Sequence, residues 1–203
     1  MSRRLDFNAI GFVGDSDVGK TTLLEGLIPV LAERGFAVAS VKHASHGFDA
    51  DRPGKDSHRL YSSGAQSVAL IGDDQIATFA RRDASQPVAL HEALATLPPR
   101  LDVVLVEGFA WEPIPRIVLV APGREPRPAH VTAGPVLRIV VVPEAAPAAK
   151  PVFADELVHE IAAEIAVWLH HRPVASPGKS AAHALWRPAV LDRRQHHAAP
   201  RGR

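Results

Sequence analysis

Ile10-Gly11-Phe12-Val13-Gly14-Asp15-Ser16-Asp17-Val18-Gly19-Lys20-Thr21-Thr22 carries an apolar tetrad directly into a complete G-x-x-x-x-G-K-[ST] loop. The tetrad reads as a short buried strand, and Leu23, Leu24, Leu27, Ile28 and Leu31 recur at helical spacing after Thr22. A strand before and a helix after are what distinguish a phosphate-binding loop from a glycine-rich turn. In such a loop the backbone N–H groups converge on phosphate oxygens, and Lys20 reaches the β and γ oxygens. Thr21 offers its hydroxyl to Mg²⁺, and the helix N-terminus adds a favourable dipole. The chain is therefore expected to bind a nucleoside triphosphate through residues Gly14, Asp15, Ser16, Asp17, Val18, Gly19, Lys20, Thr21 and Thr22.

Working outward, Gly35 is a good helix stop, and Phe36-Ala37-Val38-Ala39-Ser40-Val41 reads as a second strand ending at Lys42-His43. A polar loop follows through His46, Asp49, Asp51, Arg52, Pro53 and Gly54, then a short helix over Asp56 to Ser63. Val68 to Ile71 and Ile76 to Phe79 flank Gly72-Asp73-Asp74 as a hairpin, and a helix is expected from Val88 to Leu97. Leu101 to Phe109 is an apolar run that ends on Glu107, as a buried parallel strand should. Arg116–Val120 and Leu137–Val142 read as further strands, separated by a loop from Pro122 to Pro135, and Asp155 to Leu169 is the last clear helix. The expectation is a three-layer α/β fold over residues 1–171: a mostly parallel sheet, helices on both faces and an antiparallel edge excursion. Residues 172–203, rich in Pro, His and Arg, read as a disordered tail.

Composition narrows the class further. A formal charge of +1 gives no field that would draw nucleic acid, although eleven histidines would add positive charge below about pH 6.5. The absence of cysteine excludes disulfides and thiolate metal sites. No apolar leader or run of ~20 apolar residues is present, so a cytoplasmic protein without membrane spans is expected.

Ligands of parallel sheets bind beyond the carboxyl ends of the strands. That rule gathers the Gly14–Thr22 loop, Lys42-His43 and Glu107-Gly108 at one rim. Glu107 is expected to hold Mg²⁺ or to orient a water at the γ-phosphate, with Lys20 and Glu107 as the catalytic pair. Asp102 opens the same strand and belongs at the opposite end of the sheet. Asp49 or Asp51 could add a carboxylate to the metal shell; the alternative is a turn built from Asp, Pro and Gly. His43 and His46 are spaced loosely for a transition metal and fit contact with phosphate or an anionic partner better. Asp15 and Asp17 place two carboxylates in the loop itself, with side chains turned to solvent, which implies modest affinity and slow turnover.

Taken together, Gly14 to Leu24, the stretch Lys42-His43-Ala44-Ser45-His46-Gly47-Phe48-Asp49-Ala50-Asp51-Arg52-Pro53-Gly54-Lys55-Asp56-Ser57, and Val106-Glu107-Gly108-Phe109 resemble the molybdopterin-guanine dinucleotide biosynthesis adapter (MobB) family. Glu112-Pro113-Ile114-Pro115-Arg116 and Gly64-Ala65 are also family-like, and the resemblance covers roughly residues 8 to 170. It implies a GTP-binding, Mg²⁺-dependent homodimer with weak GTPase activity, working beside the nucleotidyltransferase that joins GMP to molybdopterin. By position, Thr21 and Glu107 would lie near Mg²⁺. Lys42, His43, Asp49, Asp51, Lys55 and Asp56 would flank the nucleotide or the partner. Two departures stand out: Ser16-Asp17-Val18 replaces smaller residues, often Ser-Gly-Ser, and Val142-Pro143-Glu144 replaces an acid soon after Ser or Thr. No N-K-x-D stretch reads guanine. The alternatives are a small-metabolite kinase, for which Arg81-Arg82 and Arg124 to Arg127 are poor lid candidates, and a metal-insertion GTPase motivated by the histidines.

Overall fold

In the computed structural model the chain runs β1 (Ala9–Val13), α1 (Lys20–Glu33), β2 (Val38–Lys42), α2 (Asp56–Ser62), β3 (Ser67–Ile71), β4 (Ile76–Ala80), α3 (Leu90–Leu94), β5 (Val103–Glu107), β6 (Arg116–Val120), α4 (Pro128–Thr132), β7 (Val136–Val141) and α5 (Asp155–His170). The structure describes residues 7–45, 47–49, 51–145 and 149–171. The tail from residue 172, Trp186 and His46 lie outside them.

The described residues fall into two compact units. The first holds residues 7–45, 87–145 and 149–171. Its five-stranded sheet has the order β2-β5-β1-β6-β7, and every pairing is parallel. Every residue of β1, β5 and β6 is buried, which is why these strands read as continuous apolar runs. Their side chains alternate between two faces with the period of two that a strand imposes. Ile10, Phe12, Val103, Leu105, Ile117 and Leu119 join Leu23, Leu27 and Leu31 of α1 and Val158, Ile161 and Ile165 of α5 in the main core. On the other face Ala9, Val104 and Val106 pack with Leu90 and Leu94 of α3. Val13, Val118 and Val120 pack with Val131 of α4.

The register sets the rim level. Glu107 at the tip of β5 pairs with Phe12 on one side and Lys42 on the other. Asp102 lies at the opposite end, as its place in the strand predicts, and its carboxylate accepts the Ala37 N–H at 2.6 Å where β2 begins. The five-residue α4 interrupts the stretch expected to be loop between Pro122 and Pro135. It is too short to show a period, although Pro128 in its first turn is a usual helix opener.

The second unit holds residues 47–49 and 51–86. Here β3 and β4 pair antiparallel from Ser67↔Ala80 to Ile71↔Ile76. They form a two-stranded sheet of their own rather than an extension of the five-stranded one. The Arg81 guanidinium lies 4.4 Å over the Tyr61 ring and donates to the Tyr61 and Ala65 carbonyls.

Phe12 is wholly buried in the main core, whereas Val141 is 62% exposed. Phe12→Ala should therefore lose about 3–5 kcal/mol of stability, and Val141→Ala should stay within about 0.5 kcal/mol of the parent. Urea denaturation of the two variants measures both.

Candidate functional site

The chain leaves β1 at Gly14, where an added Cβ would lie 2.5 Å from the Leu119 carbonyl oxygen of β6. Only glycine allows that approach. Gly19 closes the loop as the N-cap of α1 at φ 94°, with Pro151 where a side chain would go. Asp17 takes the left-handed conformation at φ 58°, which short polar residues tolerate best after glycine. Steric demand thus explains both loop glycines and the presence of an aspartate between them.

Lys20 folds back over the loop, donating to the Gly14 carbonyl at 3.1 Å and the Asp15 carbonyl at 2.5 Å. Burial pushes its pKa below the ordinary value, against the opposing pull of Glu107 and Asp17. One residue on, the Thr21 hydroxyl donates toward both oxygens of Glu107, 3.0 Å from Oε1 and 2.8 Å from Oε2. The Lys42 ammonium lies 3.0 Å from Thr21 Oγ1 and 3.0 Å from Glu107 Oε1. Glu107 is only 8% exposed. Three distant stretches thus converge on one cluster, as the rim rule predicts.

His43 belongs to the same rim through its backbone, whose N–H donates to the Glu107 carbonyl at 2.9 Å. Its ring packs 5.2 Å from Phe109 and 5.1 Å from Trp111, centroid to centroid. Gly108, at φ 87°, leaves room for it, since a Cβ there would lie 3.1 Å from His43 Cβ. In the second unit, Asp51 accepts from Ser57 Oγ and from the Arg52 N–H. The Ser57 hydrogen bond holds its carboxyl below the usual range. Lys55 is the N-cap of α2 and Asp56 lies in its first turn, while Asp49 precedes this turn.

Two arginines gain roles that residue patterns alone do not reveal. Arg116 is fully buried, and burial lowers its pKa. Its guanidinium donates to the carbonyls of Ala110 at 2.8 Å, Ile114 at 3.3 Å, His130 at 3.5 Å and Glu112. It fastens the turn that follows Glu107. The available signal was an arginine opening an otherwise apolar strand. Arg127, the N-cap of α4, places Nε 2.6 Å from Oδ1 of Asp15. Asp15 is therefore ion-paired rather than simply turned to solvent, and one of the loop's two carboxylates has a counterion.

The Thr21 hydroxyl and the Glu107 carboxylate are hard oxygen donors, already bridged by the Lys42 cation, which is chemistry suited to Mg²⁺. Among the described residues no group of three His, Cys, Asp or Glu is placed to hold a metal ion. None of their helices is long and apolar enough to cross a membrane.

A phosphate-type loop after the middle strand of a parallel sheet, faced by a buried acid on the neighbouring strand tip, defines the P-loop fold. Residues 9–142 match the family model described as Molybdopterin guanine dinucleotide synthesis protein B, and the chain belongs to that family. It is 42% identical over 111 residues to the molybdopterin-guanine dinucleotide biosynthesis adapter protein of Haemophilus influenzae, covering 54% of this chain and 61% of that protein. Against the Escherichia coli protein of the same description it is 37% identical over 120 residues, 59% of this chain and 69% of that one. A crystal structure of molybdopterin-guanine biosynthesis protein B superposes with a TM-score of 0.61 at 30% identity, covering 80% of this chain and 99% of that chain.

Replacing Arg116 by Met would leave several buried carbonyls without donors, at about 1–3 kcal/mol for each one left unsatisfied. Arg116→Met should cost at least about 3 kcal/mol, read as a lowered midpoint in urea denaturation.

Proposed function

We propose that this chain is a GTP-binding adapter in molybdopterin guanine dinucleotide biosynthesis, with slow intrinsic hydrolysis. The observation that carries the reading is the cluster of Lys20, Thr21, Lys42 and Glu107 at the mouth of a sterically dictated glycine loop. Lys20 supplies a partly buried cation for the β and γ oxygens. Thr21 and Glu107 would hold Mg²⁺, which on binding neutralises phosphate charge. Guanine rather than adenine follows from family membership, since no N-K-x-D stretch is present.

Slow hydrolysis fits the same contacts. A general base must be available to the attacking water, yet both Glu107 oxygens are engaged by Thr21 and one also by Lys42. Asp17 adds an unhelpful negative charge to the loop. The kinase alternative needs mobile arginines over the phosphates, but Arg81 is tied down within its own unit. The partner is taken to be the nucleotidyltransferase that joins GMP to molybdopterin, with molybdopterin as a further ligand. A homodimer would cover Ile71 and Ile76 at the hairpin end, which are 79% and 63% exposed.

Lys20→Ala should abolish calorimetrically detectable GTP binding while leaving the thermal melt in place, and unchanged affinity would refute the reading. Glu107→Gln should retain GTP binding but hydrolyse it more slowly, and normal turnover would remove Glu107 from the mechanism. A pull-down from a molybdenum-using cell should capture the nucleotidyltransferase in the presence of GTP. Equal competition by ATP would overturn the guanine preference.

A further inference from the structure

We propose that Arg127, held by Asp15 at the mouth of the phosphate loop, is a second phosphate-binding cation that reads the terminal phosphate of a bound nucleoside triphosphate. This rests on the nucleotide-binding reading above and adds a residue to that site.

The Arg127–Asp15 ion pair does little for stability. Arg127 and Asp15 have side chains 69% and 55% exposed, and solvent screening leaves exposed pairs of this kind with little net stabilisation. Yet the pair lies inside the element that must receive a ligand with several negative charges. A bare carboxylate at Asp15 would repel that ligand, and the Arg127 guanidinium cancels it at 2.6 Å.

The pair also leaves the guanidinium usable. Asp15 lies against Nε, leaving the two Nη groups beyond that contact. A guanidinium presents five donors in a planar fork, a geometry that matches phosphate oxygens. Asp15 thus orients the group without consuming it.

Its position is well supported from beneath. Val131, one turn into α4, packs on Val13, Val118 and Val120. The buried Arg116 donates to the His130 carbonyl. These contacts pin the start of α4 beside the loop. Arg127 and His130 line a cleft with Asp15, Val18 and Leu119. His130 lies within electrostatic reach of both Arg127 and Lys20, and burial depresses its pKa. The cations of the cleft are therefore Arg124 and Arg127, which share it with Asp15 and Glu125.

Topology gives the side of approach. The loop follows β1, which lies between β5 and β6. Glu107 and Lys42 come from the β5 side, and Arg127 comes from the segment after β6. A terminal phosphate above Lys20 would be met from both flanks. The α- and β-phosphates, cradled by loop backbone, depend less on Arg127, so the residue should discriminate a triphosphate from a diphosphate.

The test is calorimetric titration of GTP and GDP with Mg²⁺ into the wild type, Lys20→Ala, Arg127→Ala, Arg127→Lys and the double variant Asp15→Asn/Arg127→Ala. Loss of one charge-assisted contact should weaken GTP binding by Arg127→Ala about 10-fold and GDP binding by less than about 3-fold. Arg127→Lys should recover part of the GTP affinity. The double variant should stay as weak toward GTP as Arg127→Ala. Wild-type GTP affinity in the double variant would mean that Arg127 only neutralises Asp15, and the proposal would fall. Equal losses for GTP and GDP, or no loss for either, would also overturn it. Such results with GTP binding still abolished in Lys20→Ala would leave the proposed function standing, whereas a wild-type protein that binds no GTP would sink both.

Discussion

The site is organised by the contact between the Thr21 hydroxyl and the Glu107 carboxylate, with the Lys42 ammonium lying against both. It links the first turn of α1, the tip of β5 and the end of β2. Glu107 can be buried only because these two groups occupy its oxygens, since an isolated carboxylate at that depth would be expelled or protonated. The parallel register that levels Phe12, Lys42 and Glu107 is what lets the three meet. Core and site are thus one construction: the faces of β1, β5 and β6 bury the sheet, and the same alignment brings the polar ends together.

How much of this is legible in residues alone depends on how local each feature is. The phosphate loop, β1, β5, β6, α1 and α5 were readable because fully buried strands and amphipathic helices carry their signal within a few residues. The meeting of the loop with Lys42 and Glu107 was readable one step further on, through the rule about carboxyl ends of parallel strands. Other features had no local signature. The β3–β4 hairpin was recognisable, but whether it extends the main sheet or stands alone depends on pairing that no local pattern encodes. Arg116 could be seen as an oddity at the head of an apolar strand, while three of its carbonyl partners come from the preceding turn and the fourth, His130, from α4. Arg127 stands at the head of α4, which is too short to show a helical period.

Asp15 and Asp17 look alike in sequence and differ in the folded loop. Asp17 answers a conformational demand, since its backbone lies in the left-handed region that glycine enters most easily. Asp15 answers none. Its carboxylate is instead balanced by Arg127 across the loop. A single inference from two acids to weak phosphate binding therefore overcounts. The repulsive charge is nearer one than two, and the loop is more hospitable to a polyphosphate than its composition implies.

The same accounting explains why binding and turnover should part company at this site. In the proposed function, binding needs donors and cations aimed at phosphate, for which the glycine loop, Lys20 and the paired Arg127 are the candidates. Hydrolysis on that reading additionally needs a carboxylate that accepts from water, and the Glu107 carboxylate already accepts from Thr21 and pairs with Lys42. Of the two groups that hold Glu107, Thr21 lies in the first turn of α1, whereas Lys42 sits at the edge of the sheet with its side chain 56% exposed. An exposed lysine is the member of the cluster that another protein surface could most readily pull away, since its competing interactions with water are cheap to replace. Turnover in the proposed function would therefore respond to contacts at the outer end of β2 as well as to the phosphate loop.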